Sequence, residues 1–141
     1  GEPMIEYTES LDGIRPDQLR GFFDGWPSRP DPETHLAILK GSSHVILATD
    51  PDDDRVVGFI TAVSDGVLAA YVPLLEVRSP YRGRGIGREL VRRMLDRLER
   101  LYMVDLVCDP QMRPFYEQFD MKPATAMAIR RRDSQSGRRD G

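Results

Sequence analysis

Three glycines at alternate positions, Gly83, Gly85 and Gly87, are the residues whose types and spacing most clearly indicate chemistry. Glycine allows a backbone to approach a ligand closely, and successive amides of such a loop can point into one concavity. The neighbouring arginines match phosphate oxygens, and a helix beginning here would add the positive end of its dipole. The segment therefore predicts a site for a pyrophosphate-bearing ligand. The predicted binding residues of this loop are Arg82, Gly83, Arg84, Gly85, Ile86, Gly87 and Arg88.

Two other phosphate-binding loops do not fit this spacing. A G-x-G-x-x-G dinucleotide fingerprint that starts at Gly83 would need glycine at position 88, where Arg88 stands. A G-x-x-x-x-G-K-[ST] loop does not occur in the sequence. A basic surface turn without a ligand remains the alternative. The apolar run before the loop and the amphipathic pattern after it favour the binding site.

The elements that would position this loop can be predicted from apolar periodicity and from turn residues. Residues 85–102 carry apolar side chains at helical spacing, with charged residues on the other face. Short β-branched runs bounded by proline, glycine and aspartate predict strands. The predicted strands are 4–8, 44–49, 56–64, 67–77, 104–108 and 125–131, and the predicted helices are 15–23, 33–40, 85–102 and 113–119. Residues 132–141 are polar and charged and predict a disordered tail.

Two segments and the order of elements resemble the Gcn5-related N-acetyltransferase (GNAT) family. The run R-G-R-G-I-G after L-L-E-V resembles that family's acetyl-coenzyme A motif, [QR]-x-x-G-x-[GA], with Arg82, Gly85 and Gly87 at its fixed places. Residues 115–123, F-Y-E-Q-F-D-M-K-P, resemble its F-Y-x-x-x-G-F segment, although Asp120 replaces the glycine and Met121 the aromatic residue. The resemblance implies one α/β domain over residues 4–131. Its sheet would be mixed, mostly antiparallel and flanked by helices, in the order β-α-α-β-β-β-α-β-α-β.

The resemblance also implies a reaction and a cosubstrate, acetyl-coenzyme A. In the family the fourth and fifth strands splay apart and hold the pantetheine arm, which assigns Leu75 and Val77 to cofactor binding. The backbone N–H of Val77 would donate to the thioester oxygen, and a primary amine would attack the acetyl carbonyl directly in a ternary complex. Tyr116 stands at the position of the family's general acid; a core aromatic residue is the alternative. A catalytically silent sensor of coenzyme A, or a partner-binding module, is the other function that this fold could serve.

The residues that would bind or deprotonate the acceptor amine are less clearly indicated by the sequence. Glu76 precedes Val77 on the fourth strand and would point to the opposite face, as a catalytic base or as part of a surface salt bridge. Trp26, Glu33 and His35 lie in or near a proline-rich segment that would shape the acceptor pocket. His35 is also a candidate acceptor-side base, since imidazole is the side chain that titrates nearest to neutral pH. Packing in the core is the alternative for Trp26 and His35. The sequence leaves open which small-molecule or peptide amine is the acceptor.

Composition narrows the class of protein. The 141 residues, 40% of them hydrophobic, suit one compact domain, and the net charge of −3 argues against nucleic acid as a partner. Cys108 is the only cysteine, so no internal disulfide can form, and no metal-ligand spacing occurs. No apolar run has the length of a membrane span. We expect a soluble cytoplasmic protein without a metal; a homodimer is one of the oligomeric states left open.

Overall fold

A computed structural model describes residues 4–138 of the chain and contains one five-stranded sheet. The strands lie side by side in sequence order, and the first three pairs of neighbouring strands are antiparallel. The last two strands are parallel to each other. The mixed, mostly antiparallel sheet predicted above is thereby confirmed. The strands are β1 Glu6–Thr8, β2 His44–Asp50, β3 Arg55–Ser64, β4 Ala69–Val77 and β5 Met103–Asp105.

In the described part of the chain, three α-helices and four short 3₁₀ helices connect or cover the strands. Within residues 4–138, no helix combines the length and the apolar character that crossing a membrane requires. The α-helices are α1 Pro32–Gly41, α2 Ile86–Arg97 and α3 Arg113–Glu117. The 3₁₀ helices are Pro16–Leu19, Ser79–Tyr81, Pro110–Met112 and Arg132–Ser134.

Local sequence explains where the two longer helices begin. Asp31 caps α1, since its carboxylate accepts a hydrogen bond from the Thr34 backbone N–H at 2.8 Å, and Pro32 occupies the first helical position. The helix predicted over 33–40 is confirmed, and it is one residue longer at each end. Gly85 precedes α2 with φ of +82°, a left-handed conformation that glycine adopts without steric cost. The helix α2 ends at Arg97, five residues before the predicted end.

Two hydrophobic cores cover the two faces of the sheet. Ile60 of β3 faces α2 and packs with Leu90 and Met94, whereas its neighbour Phe59 faces α1 and the 3₁₀ helix Pro16–Leu19. Gly58 brings α2 close to the sheet: a Cβ at this position would lie 3.2 Å from Leu90 Cδ1. This close packing fixes the beginning of α2 beside the end of β4.

The helix predicted over residues 15–23 is wrong beyond its first turn. The structure contains only the 3₁₀ helix Pro16–Leu19 there. Gly21 follows with φ of +93° and Phe23 with φ of +61°, and neither value is compatible with a right-handed helix. The backbone N–H of Phe23 donates to the carboxylate of Glu76 on β4, so a contact distant in sequence determines this turn.

The last predicted strand, residues 125–131, does not form a strand in the structure. The segment alternates small and larger side chains, but only Thr125 and Ile129 favour strands; it pairs with no strand among the described residues and is exposed along its length. The strand predicted over 104–108 is shorter and earlier, at Met103–Asp105.

Part of the predicted disordered tail follows a defined path in the structure. Residues 132–138 contain the helix Arg132–Ser134 and contact the start of α1. The Ser28 backbone N–H donates to Gln135 Oε1 at 2.9 Å, and Arg138 forms an ion pair with Asp31. Residues 139–141 of the predicted tail lie outside the described part of the chain, and the domain limits of 4–131 stay a prediction.

Candidate functional site

The strands β4 and β5 are paired only at one end. Residues Ala69, Ala70 and Tyr71 of β4 pair with Met103, Val104 and Asp105, and the rest of β4 runs on without β5 beside it. The outer edge of β4 is therefore open from about residue 72 to Val77. An open edge presents backbone N–H and C=O groups that a ligand can use.

The direction of these backbone groups follows from the pairing of β4 with β3. The backbone N–H of Arg78 donates to the Val57 carbonyl at 2.8 Å, so the backbone amide of Arg78 faces β3. Because successive backbone groups of a strand point to opposite sides, the amides of Val77 and Leu75 face the open edge. The Val77 carbonyl lies on the same side and accepts a hydrogen bond from Arg82 Nε at 3.0 Å.

The glycine-rich loop leads from this edge into α2. Gly83 and Gly85 have φ of +79° and +82°, and no heavy atom outside the adjoining residues lies within 4 Å of a Cβ built at either position. The loop backbone is therefore accessible, and the first-turn amides of α2 have no partners within the helix. Accessible amides at a helix start form an anion site.

A groove of about 620 Å³ combines the open edge and the loop. It contains eight of the nine residues predicted to bind the cofactor: Leu75, Val77, Arg82, Gly83, Gly85, Ile86, Gly87 and Arg88. Arg84 is not among the lining residues; its guanidinium carbon lies 5.5 Å from the centre of the Tyr81 ring. Glu76, Tyr81, Met112 and Phe115 complete the lining. One end of the groove is thus basic and glycine-rich, the other largely apolar, which fits a long ligand with a phosphate at one end.

Tyr81 was not recognised from the sequence, although it directly precedes the loop. Its hydroxyl donates to Asp50 Oδ2 at 2.7 Å, and Asp50 is only 5% exposed. This hydrogen bond raises the pKa of Tyr81 above its ordinary value. This hydrogen bond connects the end of β2 with the start of the loop. It also positions the Tyr81 ring, over which the Arg84 guanidinium lies.

Glu76 lies where the groove meets the loop between the 3₁₀ helix Pro16–Leu19 and α1. Its Oε1 atom accepts a hydrogen bond from the Phe23 N–H at 2.9 Å. Burial raises the pKa of its carboxyl group, and Asp24 raises it further, whereas the Phe23 amide and Arg82 oppose the shift. Within residues 4–138 Glu76 forms no salt bridge, which disfavours the surface ion pair considered above. Its position and raised pKa suit proton transfer.

Tyr116 is not among the residues that line the groove. Its ring contacts Phe115 edge to face at a centroid distance of 5.0 Å, and Phe115 does line the groove. Burial raises the pKa of Tyr116, with a smaller contribution from Cys108. Asp120, four residues later, has φ of +65°, so this aspartate adopts the left-handed turn expected of the family's glycine.

The three acceptor-side candidates do not lie together. Trp26 is 38% exposed, and its ring packs 4.9 Å from that of Phe23, whose amide holds Glu76. Glu33 is exposed on the first turn of α1. Trp26 therefore lies near the groove. Glu33 forms no contact that connects it with Glu76 within the described residues.

His35 lies in the core rather than at the site. It is 1% exposed and packs against the rings of Phe22, Phe23 and Phe59. Within residues 4–138 neither ring nitrogen has a well-formed hydrogen bond, and burial lowers the pKa of the imidazole to about 4. Because this imidazole is enclosed by aromatic rings, the structure favours the packing alternative for His35 over the acceptor-side base.

A second groove, of about 590 Å³, lies between β1 and α2, away from the glycine loop. Its basic side chains are paired with carboxylates: Arg92 and Arg93 with Glu89, and Arg97 with Glu9. These pairs neutralise the groove, and we assign no ligand to it. Among residues 4–138, no group of three His, Cys, Asp or Glu side chains is arranged to hold a metal ion.

Comparison with known proteins agrees with this geometry. The model of the Acetyltransferase (GNAT) family matches residues 11–121. The crystal structure of a proposed acetyltransferase from Deinococcus radiodurans R1 is 49% identical, covers 96% of this chain and 94% of its own, and superposes with a TM-score of 0.92. A GNAT family protein from Streptococcus pneumoniae TIGR4 is 25% identical, covers 92% of this chain and 99% of its own, and has a TM-score of 0.73.

A curated relative is more distant. The uncharacterized N-acetyltransferase ycf52 of Pyropia yezoensis is 26% identical over 98 residues, which are 67% of this chain. The match spans 56% of that relative, so the chain corresponds to about half of its length.

Proposed function

The chain belongs to the acetyltransferase (GNAT) family, and on that premise we propose that it is an N-acetyltransferase that moves an acetyl group from acetyl-coenzyme A to a primary amine. The groove between the open edge of β4 and the glycine loop is the observation that carries this proposal. The loop amides, with Arg82 and Arg88, would hold the pyrophosphate. The edge amides of Leu75 and Val77 would hold the pantetheine arm as an additional strand does.

Acetyl-coenzyme A would supply the acetyl group as a thioester, with a thiol as its leaving group. The backbone N–H of Val77, which faces the open edge, would donate to the oxygen that becomes negative as the amine attacks. A fixed amide stabilises such charge because it needs no reorganisation during the reaction.

Glu76 would accept the proton of the attacking amine. A lysine-like ammonium has a pKa of about 10.4 and carries no lone pair until it loses a proton. A half-buried carboxylate with a raised pKa is a better base than an exposed one, and the Phe23 amide orients one of its oxygens. The other oxygen, Oε2, accepts no hydrogen bond from residues 4–138 and is available to the amine or to a bridging water.

Tyr116 would assist as charge develops on the departing sulfur. A thiol has a pKa of about 8.5, so a tyrosine whose pKa is raised above 10 is the weaker acid. Its hydroxyl would stabilise the forming thiolate by a hydrogen bond more than by complete proton transfer.

The acceptor would be an amine on a small molecule or a peptide that enters beside Trp26. This half-exposed ring stacks near Phe23 and therefore lies close to the residue that orients Glu76. The carboxylates of Asp24 and Glu76 lie on this side of the groove and would favour an acceptor that arrives as a cation.

Calorimetric titration with acetyl-coenzyme A tests the groove, with coenzyme A and ATP as comparison ligands. We expect micromolar affinity that is selective for the two coenzyme A species, and equal or absent binding of all three would overturn the proposal. Release of free thiol in the presence of a panel of amines then tests turnover. Selective binding with no amine-dependent thiol release would instead favour the silent sensor.

A further inference from the structure

Residues 132–138, here called the tail, pack against the loop that carries Trp26. The segment before the tail, residues 122–131, is exposed throughout, and none of its backbone N–H groups finds a backbone acceptor within residues 4–138. Exposure then falls at Gln135 and Ser136, which are half-buried. The tail is therefore held in place by its own contacts rather than by the segment that precedes it.

One of these contacts is made by Gln135. Its Oε1 atom accepts a hydrogen bond from the Ser28 backbone N–H at 2.9 Å. Within the described residues, this is the only hydrogen bond in which any group of residues 27–30 takes part. Residues 24–31, here called the acceptor loop, would thus lose the restraint near their middle if the tail moved away.

The tail makes two further contacts with the beginning of α1. Arg138 forms an ion pair with one carboxylate oxygen of Asp31, whose other oxygen caps the helix through the Thr34 N–H. Gly137 lies close to the Thr34 side chain, because a Cβ built at Gly137 would be 2.9 Å from Thr34 Cγ2, and its φ is +73°. A larger residue at this position would displace the tail or the Thr34 side chain.

The acceptor loop connects these contacts with the candidate site. Trp26 precedes Ser28 by two residues, and its ring packs 4.9 Å from that of Phe23, whose N–H donates to Glu76. Residues 24–29 are all exposed, so no core packing fixes this part of the loop. The position of Trp26 therefore depends on Phe23 on one side and on the tail on the other.

We propose that Gln135 is a positioning residue for the acceptor: through the Ser28 amide, the docked tail holds the acceptor loop and Trp26 where the amine enters. This inference rests on the proposed function, because it concerns the entrance for the amine in that reaction. The contacts are few and lie at the surface, so each contributes modestly. Loss of the Gln135 hydrogen bond should therefore loosen the loop without unfolding the chain.

Quenching of tryptophan fluorescence by acrylamide tests the docking without any substrate, because Trp26 is the only tryptophan of the chain and is 38% exposed. Gln135→Met keeps the approximate shape of the side chain but removes the acceptor oxygen. It should increase the quenching constant toward that of the urea-unfolded chain, whereas Gln135→Glu keeps an acceptor oxygen and should resemble the wild type. Arg132→Met is the control within the tail, since Arg132 is exposed and takes no part in the three contacts described above.

A second variant tests the docking through a different contact. Gly137→Ala would place a Cβ against Thr34 and strain the backbone, so it should increase the quenching as Gln135→Met does. Gly13→Ala is the matched control, because Gly13 has φ of +77° and open surroundings. It should lose similar stability but leave the quenching of Trp26 unchanged.

Steady-state kinetics then tests the role in the reaction. With an amine that the wild type acetylates, Gln135→Met should raise the KM for the amine about threefold to tenfold, the effect expected from the loss of one hydrogen bond. The kcat and the affinity for acetyl-coenzyme A should stay nearly unchanged. Unchanged quenching in Gln135→Met and Gly137→Ala, or increased quenching with an unchanged KM, would overturn the inference. If the wild type acetylates no amine, the proposed reaction fails, whereas the quenching still decides whether the tail holds the loop.

Discussion

The Glu76 carboxylate accepts a hydrogen bond from the backbone N–H of Phe23 over 2.9 Å. This contact joins β4, which lines the groove, to the loop that carries Trp26. It also holds Phe23 at φ of +61°, a conformation that costs a bulky residue about 1–3 kcal/mol. The structure therefore maintains a strained backbone at the point where the two substrates would meet.

Glu76→Gln should distinguish the effect of the negative charge of Glu76 from the effect of its hydrogen bond with Phe23. The amide oxygen can still accept the Phe23 hydrogen bond, but it cannot take a proton. We expect kcat to fall by about 100-fold or more with little change in the affinity for acetyl-coenzyme A. Steady-state kinetics and calorimetry measure the two quantities. Glu117→Gln, at an exposed position of α3, is the control and should leave both unchanged.

The same substitution has a predicted effect on stability. Because burial raises the folded-state pKa of Glu76 above its unfolded value, the ionised carboxylate costs stability at neutral pH, and this cost disappears as the pH falls through the folded-state pKa. Glu76→Gln should therefore melt at an equal or higher temperature than the wild type at pH 7. A large loss of stability would mean that the carboxylate has a structural role that the glutamine cannot fill.

Tyr116→Phe should lower kcat by about tenfold to 100-fold and leave binding of acetyl-coenzyme A nearly unchanged. The substitution removes only the hydroxyl, so the contact between this ring and Phe115, which lines the groove, is kept. Tyr102→Phe removes an exposed hydroxyl as a control. Unaltered turnover in Tyr116→Phe would remove this residue from the mechanism.

His35 should make the protein less stable in acid. Its pKa is about 4 in the folded protein and 6.5 in the unfolded chain, so the unfolded state binds the proton more tightly. Its contribution to stability is complete above pH 6.5 and decreases as the pH falls from 6.5 to 4, by a total of about 3 kcal/mol. Urea denaturation between pH 7 and pH 4 should reveal this slope.

The variant His35→Leu should flatten that pH dependence, because leucine fills the aromatic enclosure without a titrating group. His44→Gln serves as the control for the other histidine and should retain the wild-type slope. If the free energy of unfolding of His35→Leu depended on pH as in the wild type, another group would cause the loss of stability in acid.

Gly85→Glu should abolish binding of acetyl-coenzyme A. A side chain at φ of +82° strains the loop, and a carboxylate there repels phosphate. Gly13→Glu is a matched control, since Gly13 has φ of +77°, open surroundings and no contact with the groove. The two variants should lose similar stability, whereas only Gly85→Glu should lose the ligand. Unchanged affinity in Gly85→Glu would contradict the assignment of the loop.

Several features could be predicted from the sequence because their causes are local. The start of α1 depends on Asp31 and Pro32, which act within one turn, and the loop before α2 depends on the conformational freedom of Gly85. Because side chains alternate along a strand, Glu76 can be placed on the opposite face of the sheet from Val77 without knowledge of how the strands pair. The order of the elements from α1 to α3 followed from such patterns.

The sequence by itself determined the glycine-rich loop, the strand and helix around it and the family that they resemble, since each depends on residues close together in the chain. Only the tertiary structure decided that the Val77 amide faces an open edge, that Phe23 breaks a predicted helix to reach Glu76, and that His35 is enclosed by aromatic rings. Among the described residues, it also left 125–131, a predicted strand, without a strand partner. These outcomes depend on which distant residues meet in space, and propensity or periodicity in a single segment carries no information about those contacts.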